Sequence, residues 1–281
     1  MEPSKDQLDR RWTVNLSILL TDLPLLERPA AAAAAGFTAA ELWWPFGADH
    51  VPDEKEVDAL RRAFTDAGVR LTGLNFLDGL TEGEKGVLSL PEQSRRFREN
   101  IPVAAELAGS LGCGALNALY GNRLAGAAPE AQDELALENL SLAAQAAAGI
   151  GAVLLVEALN KVEAPDYALL SADAAVSVVD RVNAATGLGN ARFLCDLYHL
   201  ARNGERLSGE DGVIRRFGDR IGHVQIADTP GRGAPGSGEL DLPALLAELD
   251  AVGYGGNVGL EYKSPAASAF DWLPRASRAN G

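Results

Sequence analysis

The chain has 281 residues, longer than the usual ~100–150-residue domain but near the ~250 residues that an α/β barrel commonly fills as one unit. Hydrophobic residues make up 47% and charged residues 23%, and no apolar run nears the ~20 residues of a membrane span, which predicts a soluble, well-cored protein with no membrane partner. A net charge of −14 opposes a nucleic-acid partner, whose phosphates are held by clustered Lys and Arg, and two cysteines, Cys113 and Cys195, exclude a disulfide framework or a CxxC site.

In chain order, the polar opening MEPSKDQLDRRW lacks the apolar segment of a secretory signal, so a cytoplasmic location is expected, with residues 1–11 a flexible tail. Strand-like runs follow at 13–17, 39–44, 70–75, 115–120, 152–157, 192–196, 221–225 and 257–261. Helical composition fills 24–35, 53–67, 92–111, 129–148, 171–186, 210–217 and 242–252, and Gly36, Gly68, Gly112, Gly149 and Gly253 stand where helices should stop. Near-continuous apolar strands alternating with helices describe a parallel sheet covered on its outer face. Eight such units, with no GxGxxG after any strand, predict an α/β fold: one (β/α)₈ TIM barrel over 1–281, ending in an extension at 266–281. The long connection from Phe76 to Pro91 reads as a lid or pocket wall, and GRGAPGSG at 231–238 as a mobile loop after the seventh strand.

The last four strands share a property that bears on chemistry. VLLV precedes Glu157, FLC precedes Asp196, IGHV precedes Gln225 and NVGL precedes Glu261. Residues at the carboxyl ends of barrel strands face one mouth, so these four side chains should meet there. Taken singly, each acid has an ordinary reading as a helix cap or a loop hydrogen-bonder. Together, three carboxylates in a low-dielectric pocket would drive each other to protonate unless a cation neutralised them. The set Glu157, Asp196, Gln225 and Glu261 is therefore the expected metal site, and its hard oxygen donors suit Mg²⁺ or Mn²⁺ better than Zn²⁺.

Around it, His199 follows Asp196 in DLYH and is placed to hydrogen-bond a substrate oxygen on a short turn beyond strand six. His223 shares a strand face with Gln225 and reads as barrel packing. Lys85, Arg232 and Lys263 are candidates for holding an anionic substrate group, and Trp43 for an apolar pocket wall.

At LVEALN, CDLYH, HVQIAD, GSGELD and GLEYK the chain resembles the hydroxypyruvate isomerase family, within the xylose-isomerase-like barrel superfamily. The resemblance also takes in NLSILLTDLPLLERPAAAAAAGFTAAELWWPF and GEKGVLSLP, and spans most of residues 13–263. It implies a metal-dependent isomerisation of hydroxypyruvate to tartronate semialdehyde, with Glu157 and Glu261 as the acid/base pair and with the metal on the positions already named. Gly233 and Ala234 depart from the GRHEPG form frequent in the family. The expected partner is a small hydroxy-oxo acid or sugar, bound by a monomer or a homo-oligomer. The alternatives are a 2-oxotetronate isomerase, a ketose 3-epimerase or a lyase on the same metal site, a DNA-repair phosphodiesterase, which three histidines and the acidic charge disfavour, or an idle binding barrel.

Overall fold

A computed structural model describes residues 10–279. Eight parallel strands close into a barrel in sequence order, β1 (Trp12–Asn15), β2 (Ala39–Leu42), β3 (Arg70–Asn75), β4 (Ala115–Asn117), β5 (Val153–Glu157), β6 (Ala191–Asp196), β7 (Ile221–Ile226) and β8 (Val258–Leu260), with β8 paired back to β1. The (β/α)₈ expectation therefore holds. Outside lie helices α1 (Arg28–Ala35), α2 (Glu54–Ala67), α3 (Ser94–Ser110), α4 (Pro129–Gly149), α5 (Ala172–Thr186), α6 (Leu197–Arg202), α7 (Val213–Phe217) and α8 (Leu242–Ala251).

Local signals explain the boundaries. Asp53 and Glu56 form a reciprocal capping box at the start of α2, and Gly68 ends it at φ 65°, a left-handed turn that a side chain would strain. The stop expected at Gly149 falls two residues later: Gly149 is still helical, and Gly151 turns the chain at φ 75°. Helix α6 is an addition to the expected elements, because its six residues are too few to show a helical period.

Side chains two residues apart on a strand share a face. Leu155, Leu194 and Ala115 therefore lie inside the barrel one layer below Glu157, Asp196 and Asn117, and they form a small apolar cluster separate from the main core between strands and helices. Above this floor the interior is polar.

At the amino end, residues 1–9 of the expected tail lie outside the described residues, whereas Arg10 is buried and donates to the Leu246 carbonyl and to Asp250. The described part of the carboxyl-terminal extension, 266–279, packs against the barrel. Trp272 stands edge-on to Trp12 at 5.4 Å, Phe270 lies 4.7 Å from Phe37, and Arg278 donates to the Ala35 and Phe270 carbonyls. Among the described residues no helix is long and apolar enough to cross a membrane.

Candidate active site

The carboxyl ends of the strands open onto a cavity of about 190 Å³ lined by Glu157, Gln225, Glu261, His199, Trp43, Lys85 and Arg232, among others. Glu157 ends β5, Asp196 ends β6, Gln225 lies within β7 directly opposite Asp196, and Glu261 is the first residue past β8. All four are at least 94% buried. Oxygens of Glu157 and Asp196 and a ring nitrogen of His199 lie within 4.8 Å of one another. Glu261 forms the opposite wall, where it accepts from the Trp43 indole at 2.7 Å, the Arg232 guanidinium at 2.7 Å and the Asn15 amide at 3.1 Å.

Electrostatics follow from this crowding. Burial, then the charges of Glu261 and Asp196, hold the Glu157 carboxyl well above the ordinary carboxylate range. Asp196 is pushed up to about 8, by burial first and the charge of Glu261 next. Glu261 is raised by burial, though Arg232 opposes the shift. Burial disfavours the charge on Arg232, yet Glu261, Asp196, Glu163 and Glu157 together outweigh it and keep the guanidinium protonated. Its own charge stacks 5.3 Å from the Tyr198 ring centre, and it adopts a left-handed φ of 55°.

One buried atom tests the fit of a cation. Gln225 Oε1 has no hydrogen-bond partner, although a buried carbonyl oxygen ordinarily has one. Glu157 and Asp196, with oxygens within 4.8 Å of each other, and the unsatisfied amide oxygen of Gln225 are donors of the kind a hard divalent ion takes, while Glu261 stands at the same cavity engaged by Trp43, Arg232 and Asn15. Asp196 also serves the ordinary role weighed for it, since its Oδ1 caps α6 by accepting from the His199 backbone N–H at 3.0 Å.

His199 is fixed by its other nitrogen. Its Nδ1 accepts from the Asn160 backbone N–H at 3.0 Å, so the ring proton sits on Nε2, which faces Asp196 at 3.7 Å and Glu157 at 4.0 Å. Burial, then the charges of Arg232 and Lys85, lower its pKa well below the usual histidine value. A neutral ring with Nε2–H is a donor, not a metal ligand.

The remaining candidates divide. Trp43 is both wall and donor to Glu261, and Lys85 comes from the third loop, which does form part of the cavity wall. Lys263 is exposed and absent from the lining; its backbone N–H donates to the Arg232 carbonyl at 2.7 Å. The tract at 231–238 is gathered around Asp228, whose carboxylate accepts from the N–H groups of Thr229, Gly236, Gly238 and Leu240.

Several residues of the site were not singled out from sequence. Glu41 is buried beneath the cavity; Asn15, Asn75 and Asn117 end β1, β3 and β4; Asn117 donates to Glu157 at 3.0 Å; and Asn160 orients His199. The signal was present. TVN, AAE, TGLN and ALN end on polar groups just as the last four strands do.

A barrel with this rim places the chain in a known class. The model for the xylose isomerase-like TIM barrel matches residues 29–278, and the chain belongs to that family. Within it the chain belongs with the hydroxypyruvate isomerases. It is 63% identical to a Streptomyces coelicolor protein provisionally named as one, over 96% of this chain and 98% of that one. It is 31% identical to the hydroxypyruvate isomerase of Escherichia coli, over 90% and 93% of the two chains. The 2-oxo-tetronate isomerase of Pectobacterium atrosepticum is 32% identical over 94% and 95%. Among solved structures, a Brucella melitensis protein described as an AP endonuclease of family 2 superposes with a TM-score of 0.80 at 32% identity, over 94% and 97% of the two chains.

Proposed function

We propose that the protein is a divalent-metal-dependent isomerase that interconverts hydroxypyruvate and tartronate semialdehyde. The observation that carries this reading is the pair of buried carboxylates Glu157 and Asp196, with oxygens within 4.8 Å of each other, at the mouth of a small cavity whose lining also includes Glu261 and Gln225, the latter with a partnerless Oε1. Glu157, Asp196, Gln225 and Glu261 would hold the ion. Bound there, a divalent cation would offset the crowded negative charge and draw electron density from the substrate carbonyl.

The side chains then supply proton transfer. One glutamate of the pair Glu157 and Glu261 takes a proton from the hydroxymethyl carbon, and the C–H electrons move into an enediolate. A proton returned to the adjacent carbon by the other glutamate, together with transfer of the hydroxyl proton from the terminal oxygen to the former carbonyl oxygen, completes the isomerisation, so one C–H and one O–H bond break and one of each forms. A positioned acid/base group contributes roughly 10²–10⁴-fold. His199 Nε2–H donates to a substrate oxygen, while Lys85 and Arg232 face the substrate carboxylate. Trp43 walls the cavity and steadies Glu261.

The cavity's ≈ 190 Å³ lies below the ~300 Å³ lower end usual for small-molecule sites, which supports a three- or four-carbon acid over a hexose. A 2-oxotetronate isomerase is the second reading, supported by the Pectobacterium atrosepticum relative. Proton NMR of the Mg²⁺-loaded protein with hydroxypyruvate, 2-oxotetronate and ketohexoses separates these substrates. Conversion of hydroxypyruvate is expected, with a loss of roughly 10²-fold or more in Glu261→Gln. An unchanged rate in that variant with metal bound would overturn the mechanism.

A further inference from the structure

Glu41 has no place in the proton-transfer scheme, yet it is the most completely engaged acid beneath the site. It lies on β2 within the barrel and is 97% buried. Its Oε1 accepts from Gln225 Nε2 at 2.8 Å and from Asn15 Nδ2 at 3.3 Å, and its Oε2 meets His223 Nε2 at 2.7 Å. Strand β8, beside the β7 strand of Gln225, is bared to make room. A Cβ on Gly259, which pairs with Gln225 across β7 and β8, would fall 2.6 Å from Glu41 Oε1 and 2.8 Å from Gln225 Cγ. Gly259 has no positive φ, so close approach, not backbone conformation, is what a side chain there would spoil.

A glutamine amide presents a donor from one end and an acceptor from the other. Opposite a carboxylate oxygen at 2.8 Å only the NH₂ group is tolerated, because two oxygens at that distance repel. Oε1 must then point the other way, and it is this atom that lies buried without a partner. We infer that Glu41 is a positioning residue that locks the Gln225 amide with its carbonyl oxygen toward the cavity, so that a neutral amide works as a metal ligand. The inference rests on Gln225 being a ligand, as the proposed function has it. It explains a demand that a carboxylate ligand, with two equivalent oxygens, would not make. Such outer partners commonly govern metal affinity by about 10–100-fold.

Mn²⁺ binding, followed by the electron paramagnetic resonance of the free ion, tests this without recourse to turnover. Glu41→Met removes the acceptor and is expected to weaken Mn²⁺ by about 10-fold or more. Glu41→Gln removes the charge but keeps an acceptor oxygen for Gln225 Nε2, and should stay within about threefold of the parent. Gln225→Leu should weaken binding by itself, and adding Glu41→Met to it should cost no further affinity beyond about twofold, because the two act through one contact. An unchanged Glu41→Met, a Glu41→Gln as weak as Glu41→Met, or an undiminished effect of Glu41→Met in the Gln225→Leu background would each overturn the role of Glu41. An unchanged Gln225→Leu would instead remove Gln225 from the ligand set, a failure of the underlying reading. If Glu41→Met does not fold, the parent protein labelled with ¹⁵N-glutamine decides. The Gln225 side-chain amide, identified by its loss in Gln225→Leu, should resist solvent exchange in the metal-free state, and exchange as fast as an exposed glutamine would contradict the lock.

Discussion

The backbone N–H of Asn160 decides what His199 can do, since a ring nitrogen that accepts from an amide leaves its proton on the other nitrogen. His199 Nε2 stands 3.7 Å from Asp196 and 4.0 Å from Glu157, yet its tautomer makes it a hydrogen-bond donor, the role that the proposed function gives it toward substrate. Replacing it should therefore divide two properties that a ligand would lose together. His199→Ala is expected to lower kcat/KM for hydroxypyruvate by roughly tenfold to a hundredfold, the loss of one buried hydrogen bond in the transition state, with Mn²⁺ affinity nearly unchanged. Steady-state kinetics beside a Mn²⁺ titration checks this, and a loss of affinity as large as that of Asp196→Ala would contradict it. At this scale the sequence was legible for Glu157, Asp196, Gln225 and Glu261, because each ends an apolar run and so declares its register. Asn160 was not, because it sits in a loop where nothing in the residue order says that a backbone amide will face an imidazole.

At the scale of elements, the loop after β7 shows how one carboxylate can shape a tract of thirteen residues. Asp228 is 99% buried and accepts from four backbone N–H groups, and a Cβ on Gly238 would fall 2.7 Å from its Oδ1 and 1.9 Å from the Thr229 carbonyl oxygen. From sequence the glycines of 231–238 read as a mobile loop. In the structure the tract is tied to Asp228, and Gly238 is the glycine that lets the backbone approach that carboxylate, an outcome that glycine content does not distinguish from looseness. Asp228→Ala leaves four donors to be satisfied otherwise, and each buried donor left unpaired costs about 1–3 kcal/mol. Thermal unfolding should fall by several degrees, and because the same loop carries Arg232, the KM for hydroxypyruvate should rise. A variant with unchanged melting and KM would show that Asp228 does not hold the loop. The eight strands were readable because buried parallel strands are continuous apolar runs. Helix α6 was not, since its first turn depends on Asp196 as a cap while the same side chain serves the rim.

For the whole molecule, a barrel that gathers carboxylates at one end carries a cost that depends on pH. The Asp196 carboxyl titrates near 8 in the fold against about 3.9 in an unfolded chain, so between those values the folded state holds more protons. The contribution of Asp196 to the stability of the metal-free protein then falls as pH rises from about 4 to about 8, the direction opposite to that of a salt-bridged carboxylate. A bound divalent ion supplies the missing charge, so its stabilising effect should grow over the same window. Differential scanning calorimetry with and without Mn²⁺ measures both slopes, and parallel curves would argue against the carboxylates as ligands. The most direct test is anomalous diffraction at the manganese edge from crystals grown with Mn²⁺. One peak in coordination contact with Glu157, Asp196, Glu261 and Gln225 Oε1 is expected; a peak elsewhere, or one that leaves Glu261 paired only with Arg232 and Trp43, would contradict the proposed site.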